Sequence, residues 1–306
     1  MKTKQFRGVI PPVSTLFDQA GQIDEKSMKL LIDSLIEAKV DGLFFLGTGG
    51  EFSQMSVEER KYFAEFAVSY VDQRVPVLIG TGSTSTREVI LLNQHAAKIG
   101  ADAVVIVNPY YWGLTEENLF KHYSEIAEST NLPILLYNFP DLTGQDLTPD
   151  FVLKLVDKHP NVVGIKETID SIGHISEMVT KVKGKHPHFS VLCGYDNHLL
   201  NTLQIGGDGT ISASGNFAPQ LSVGIYQAFM NGNYGEAIEL NKQLAVLPFI
   251  YQIDSPFVNV VKEAIKISGL DISTYVLPPS RPLSLEKIEE VKEIMKLADL
   301  LPKTIA

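Results

Sequence analysis

Eight short apolar runs, separated by longer amphipathic stretches, organise most of the chain. They are GVIPPVS (8–14), GLFFLG (42–47), VPVLIG (75–80), ADAVVIVN (101–108), LPILLYN (132–138), NVVGIKE (161–167), FSVLCG (189–194) and GTISAS (209–214). The runs are nearly continuous in apolar character, as expected of parallel strands covered on both faces. Between them, stretches such as EKSMKLLIDSLIEAKV, SVEERKYFAEFAVSYVDQ and EENLFKHYSEIAEST carry a helical apolar stripe and are long enough to cross over between strands. Eight β/α units in about 220 residues predict an α/β chain folded as a closed (β/α)8 TIM barrel over residues 1–220. A doubly wound open sheet is the alternative. From residue 221 the pattern is helical throughout, in LSVGIYQAFMNG, YGEAIELNKQLAVLPFIYQ, SPFVNVVKEAIKISG and SLEKIEEVKEIMKLADLL, punctuated by Gly232, Gly269 and the Pro278-Pro279 pair. Residues 221–306 read as a C-terminal helical extension packed on the barrel.

Composition narrows the function. The 306 residues include 26 basic and 36 acidic side chains, a net charge of −10. No Lys/Arg stripe offsets this, so nucleic acid is not an expected partner. No apolar run reaches the ~20 residues needed to cross a bilayer, so no membrane is expected. The amino-terminal MKTKQFRGVIPPVSTLF does not read as a signal peptide. The lone Cys193 excludes an internal disulfide and a multi-cysteine metal site, and reads as a small buried hydrophobe. The expectation is a soluble, cytoplasmic enzyme acting on a small molecule.

In a parallel barrel, chemistry collects where strands end. Lys166 is the penultimate residue of NVVGIKE. An amine at an apolar barrel mouth is poorly hydrated as ammonium, and the neutral amine is the form that attacks a ketone carbon. A lysine leaving the barrel for solvent, or pairing with Glu167, fits the spacing equally well. Tyr137 closes the preceding run at matching depth and offers a hydroxyl that both donates and accepts a proton. The alternative is a core aromatic with its hydroxyl on a carbonyl. Tyr110 and Tyr111 follow the fourth run in VNPYYWG. Gly47, Thr48, Gly49 and Gly50 follow the second and lead towards a helix beginning near Ser56. Such a turn can aim N–H groups at a carboxylate, with Thr48 adding a hydroxyl, although tight β/α turns also use glycine for conformation alone. The GGDG at 206–209 precedes its strand and belongs to the opposite face. His186 and His188 likewise precede the seventh run. No His spacing or acidic cluster supports a metal site, so none is expected.

Taken in order, GTGGE, NPYY, YNFP, GIKET and GYD resemble the pyruvate-dependent class I aldolases, a family that includes dihydrodipicolinate synthase, N-acetylneuraminate lyase and the 2-keto-3-deoxy-sugar-acid aldolases. The resemblance runs from FRGVIPPVSTLF through the helical tail. It implies that Lys166 forms the imine, that Tyr137 is the acid/base, that Thr48 relays protons, and that the Gly49 N–H helps hold the pyruvyl carboxylate. Tyr111 resembles the family tyrosine that often enters a neighbouring subunit's site, which implies a homo-oligomer, a dimer or a homotetramer. No cofactor is implied beyond the covalent imine on Lys166.

Two departures bear on substrate. Leu142 stands where the synthases carry an arginine that holds the aldehyde's carboxylate, and Gly49 stands where a second Thr is usual. The pattern is most similar to the bacterial 2-keto-3-deoxygluconate or pentonate aldolase branch. The implied reaction is retro-aldol cleavage to pyruvate and an aldehyde. Thr168, Asp196, Asn197, Ser212 and Ser214 are candidate contacts for the polyol, though short polar residues also favour loops and caps. A synthase condensing pyruvate with aspartate semialdehyde, and a non-catalytic pyruvate-binding barrel, are the competing readings.

Overall fold

The computed structural model describes residues 5–301. Each apolar run contains a strand: β1 Gly8–Val9, β2 Leu43–Phe45, β3 Val77–Gly80, β4 Ala103–Val107, β5 Ile134–Asn138, β6 Val162–Glu167, β7 Ser190–Cys193 and β8 Gly209–Thr210. They pair in parallel in the order β1-β8-β7-β6-β5-β4-β3-β2. A parallel bridge between Pro12 and Phe44 joins the two ends. The Phe44 amide donates to the Pro11 carbonyl (3.0 Å), and the Val13 amide to the Phe44 carbonyl (2.8 Å). The sheet closes on itself, and the open-sheet alternative fails. Every strand residue is buried, which is why the runs are apolar without alternation.

One irregularity sets the level at which two strands end. Ile134 pairs with Val162, but Leu135 pairs with Gly164, leaving Val163 as an extra residue in β6. Regular pairing carried upward from Ile134 would set Tyr137 beside Ile165. The bulge sets it beside Lys166 instead. Gly164 is required just there, because a Cβ would stand 2.8 Å from the Ser190 carbonyl oxygen of β7.

The crossover helices wrap the barrel. The helix expected near Ser56 is Val57–Val71. Ser56 and Glu59 cap it reciprocally: the Glu59 amide donates to the Ser56 hydroxyl (3.3 Å) and the Ser56 amide to the Glu59 carboxylate (2.7 Å). The helix Pro219–Met230 runs through the expected boundary at residue 220/221 and packs on β1 and on the helix Leu199–Gln204. It is the crossover helix after β8, so we propose dividing barrel from extension after Met230. The extension contains Tyr234–Leu244, Val258–Ile267 and Leu285–Leu297. The stretch read as one helix from Tyr234 to Gln252 breaks at Ala245 and resumes as the tighter Leu247–Gln252, because Pro248 has no N–H for the α-helical ladder. Barrel and extension share one continuous apolar core.

Candidate active site

β5 and β6 end side by side, with Tyr137 and Lys166 as direct partners. Both side chains therefore leave the sheet on one face. Lys166 is 4% exposed. Its Nζ stands 4.0 Å from the centroid of the Tyr137 ring and 5.4 Å from that of Phe44, whose edge also packs on Tyr137. Glu167, the next residue, points the other way, so the pairing of Lys166 with Glu167 that spacing allowed is not made.

The Tyr137 hydroxyl lies 3.1 Å from Thr48 Oγ1. Thr48 belongs to a short turn, Thr48–Gly50, immediately beyond β2. The Gly50 and Glu51 amides close it onto the Gly47 and Thr48 carbonyls at 3.0 and 3.1 Å. That leaves the Thr48 and Gly49 amides without an acceptor among the described residues. The turn ends at Glu51, a buried residue with left-handed φ of 56°. Its carboxylate accepts from Lys262 Nζ (2.5 Å) and from the Leu277 amide (2.8 Å), both in the extension.

Lys166, Tyr137, Thr48 and Gly49 border a cavity of about 170 Å³ together with Thr168 and Asp196. The Thr168 amide donates to the Asn138 carbonyl (2.9 Å), while its buried hydroxyl has no partner among the described residues. The side chain rests over Gly194, where a Cβ would collide with Thr168 Oγ1. Asp196 is buried and already engaged: Ser214 Oγ donates to one oxygen and the Tyr251 hydroxyl (2.6 Å) to the other. Burial, with Asp196 alongside, drives the Tyr251 phenol well above its usual value. A roomier groove of about 350 Å³ runs beside Tyr110 and Trp112, but its lysine, Lys121, is exposed to water.

Other expected contacts fall elsewhere. On the segment after β8, Ile211 and Ala213 border the cavity, whereas Ser212 and Ser214 do not. Ser214 acts on Asp196, and the Ser212 hydroxyl is buried without a partner among the described residues. Asn197 does not border the cavity. Leu142, 58% exposed, lies on the short helix Pro140–Thr143 and faces water. Tyr111 is 88% exposed, with φ of 84°, and stays clear of this chain's cavity.

Sequence reasoning did not nominate Tyr195, Tyr251 or Phe257, which also line the cavity. Tyr195 sits inside the GYD motif, and its hydroxyl donates to Asp141 across the mouth (3.1 Å). Burial and the Asp141 charge push that phenol up to about 12. Tyr251 and Phe257 come from the extension, where no strand end points to them.

Behind the barrel wall, Glu167 accepts from Asn138 Nδ2 (3.0 Å) and faces His174 Nδ1 at 3.5 Å. His174 Nε2 lies 3.2 Å from Asp146. Burial lifts the Glu167 carboxyl to about 7. Burial alone would lower His174, but Asp146 and Glu167 raise it overall. The buried thiol of Cys193 is pushed up to about 11 by desolvation, which leaves it inert as a nucleophile. Among the described residues no group of three or more His, Cys, Asp or Glu is arranged to hold a metal ion, and no helix is long and apolar enough to cross a membrane.

Residues 5–298 match the profile of the dihydrodipicolinate synthetase family. The chain belongs to that family. YagE of Escherichia coli strain K12, provisionally named a 2-dehydro-3-deoxy-D-gluconate aldolase, is 55% identical over 95% of this chain and 96% of its own. YjhH of the same strain, provisionally named a 2-dehydro-3-deoxy-D-pentonate aldolase, is 53% identical over 98% and 99%. The crystal structure of YagE, described as a prophage protein of the dihydrodipicolinic acid synthase family in complex with pyruvate, superposes with a TM-score of 0.96 over 97% of this chain and 99% of that one. Dihydrodipicolinate synthase from Thermotoga maritima superposes at 0.92, with 32% identity over 97% and 100%. Within the family, the chain thus shares more of its sequence with these two aldolase-named relatives than with this synthase.

Proposed function

We propose that this protein is a Schiff-base aldolase, a carbon–carbon lyase that cleaves a 2-keto-3-deoxy sugar acid of the gluconate or pentonate type to pyruvate and an aldehyde. The observation that carries the reading is the buried Lys166 amine on the Tyr137 ring, with the Tyr137 and Thr48 hydroxyls 3.1 Å apart in the same cavity. The sugar-acid assignment draws on the names of YagE and YjhH, and on a cavity that presents Lys166 but no arginine to clamp a second carboxylate.

The Lys166 amine adds to the C2 carbonyl, and Tyr137 gives a proton to the departing hydroxyl, so that water leaves and an iminium forms. The Tyr137 phenolate then takes the C4 hydroxyl proton as the C3–C4 bond breaks. The bonding pair moves into the iminium, leaving an enamine and releasing the aldehyde. Tyr137 returns the proton to C3, with Thr48 as the relay, and water hydrolyses the imine to pyruvate and free amine. The positively charged nitrogen is the electron sink, so the covalent imine serves in place of a cofactor. The Thr48 hydroxyl and the Thr48 and Gly49 amides suit the pyruvyl carboxylate. The Thr168 hydroxyl, lacking a partner, suits the substrate's oxygens. Exposed Tyr111 fits a role in a neighbouring subunit of a dimer or homotetramer, and a cytoplasmic setting accords with such metabolism.

The test combines trapping and turnover. Borohydride with pyruvate is expected to add the reduced ligand's mass at Lys166. 2-Keto-3-deoxygluconate or its five-carbon analogue should then release pyruvate faster than N-acetylneuraminate does. An adduct at another residue, or none, defeats the imine assignment. Preferred consumption of pyruvate with aspartate semialdehyde would make the protein a synthase.

A further inference from the structure

The helical extension reaches the Thr48–Gly50 turn through two fully buried charges. Glu51 closes the Thr48–Gly50 turn, and Lys262 lies on the helix Val258–Ile267. Both side chains are 0% exposed, 2.5 Å apart. Lys262 also donates to the Tyr275 carbonyl (2.7 Å) and sits 4.7 Å from the centroid of the Phe17 ring, while the second Glu51 oxygen receives the Leu277 amide (2.8 Å). On its barrel side the turn is held once more, the Thr15 hydroxyl donating to the Gly50 carbonyl (2.8 Å).

A dry ion pair is a poor source of stability, because desolvation offsets most of its attraction, and apolar replacement of both partners is often neutral or stabilising. What it supplies is geometry: two oxygens with directed partners fix a carboxylate in place. Glu51 is held in the left-handed region, where a non-glycine residue is uncommon. A turn in that state keeps its shape when its surroundings over-determine it.

We infer that Glu51 and Lys262 are positioning residues, whose buried pair holds the Thr48 and Gly49 amides and the Thr48 hydroxyl in register for the carboxylate of the keto acid. The inference rests on the reading that this turn receives the pyruvyl carboxylate, and it makes the extension a working part of the site. Phe257, which immediately precedes the Lys262 helix, lines the same cavity.

The experiment measures borohydride-trapped pyruvate at Lys166 as a function of pyruvate concentration, beside thermal unfolding, in wild type and in Glu51→Gln/Lys262→Met. The double variant leaves no unpaired charge. It is expected to unfold cooperatively, to need roughly tenfold more pyruvate for half-maximal adduct, and to reach the wild-type yield at saturation. A folded double variant with unchanged half-saturation overturns the inference, because a purely structural pair would move the melting temperature alone. If the double variant does not fold, Glu51→Asp carries the same test: it keeps the charge, shortens the tether by one methylene, and should raise half-saturation severalfold. Absence of any wild-type adduct defeats the proposed imine chemistry instead, so the two failures are distinct.

Discussion

A phenol beside an amine can be decoration or machinery, and removing one oxygen separates the two. Tyr137→Phe keeps the ring that packs on Phe44 and Lys166 but deletes the hydroxyl shared with Thr48. Positioned proton transfer is worth about 10²–10⁴-fold, so kcat for aldol cleavage should fall within that range, while borohydride still places its adduct on Lys166, more slowly. A variant that retains full turnover would remove Tyr137 from the reaction. Thr168 offers a gentler test. Its hydroxyl has no partner among the described residues, so Thr168→Val strands none of their polar groups. The expected result is wild-type stability with a raised KM for the sugar acid, read from steady-state pyruvate release; an unchanged KM would remove Thr168 from the substrate's contacts.

Among the elements, β6 decides most, and much of its work was invisible in the sequence. Apolar runs announced eight strands because burial on both faces demands them. Lys166 and Tyr137 were legible because each stands one residue from the end of such a run. The bulge at Val163 was not legible: one extra residue in a continuous apolar run alters no pattern, yet it sets Lys166 level with Tyr137. The placement of Ser212 and Ser214 off the cavity could not be read from GTISAS either, because the strand gives way to a 3-10 turn at Ala213 that the apolar pattern does not mark. Tyr251 and Phe257 stayed hidden because helical segments carry no marker of which loop reaches a barrel mouth. Gly164→Ala probes how closely the bulged strand packs on β7. Its Cβ would meet the Ser190 backbone and side chain at 2.8 and 2.9 Å, and forcing β6 from β7 should cost roughly 1–3 kcal/mol in denaturant unfolding. A variant as stable as wild type would mean that the two strands tolerate a wider gap.

For the whole molecule, pH and assembly give separate tests. Folding raises the Glu167 carboxyl from 4.5 to about 7. The native state therefore binds this proton more tightly than the unfolded chain. The stability it contributes is complete below pH 4.5 and is lost as pH climbs through 7. His174, also raised, acts in the same direction. The Glu167 shift alone corresponds to roughly 3 kcal/mol at 1.36 kcal/mol per unit. Melting temperatures should decline from pH 5 to 8 in wild type and decline less in Glu167→Gln; parallel profiles would show that the cluster does not titrate in this range. Assembly is read by mixing. If Tyr111 serves a neighbour's cavity, then Lys166→Ala and Tyr111→Ala subunits, each inactive alone, should regain part of the activity after joint refolding, because some sites then draw intact residues from both chains. Continued silence would confine Tyr111 to its own surface. The buried charges joining turn and extension also bear on the order of events during synthesis. Glu51 and Lys262 are 211 residues apart, and Leu277 is 226 from Glu51. At 5–20 residues per second, the ribosome needs roughly 10–40 seconds between making one charge and its partner. Through that interval Glu51 has been made, but the partners that hold its carboxylate have not. On this reading, the turn that carries Thr48 and Gly49 is clamped only once the extension has been translated.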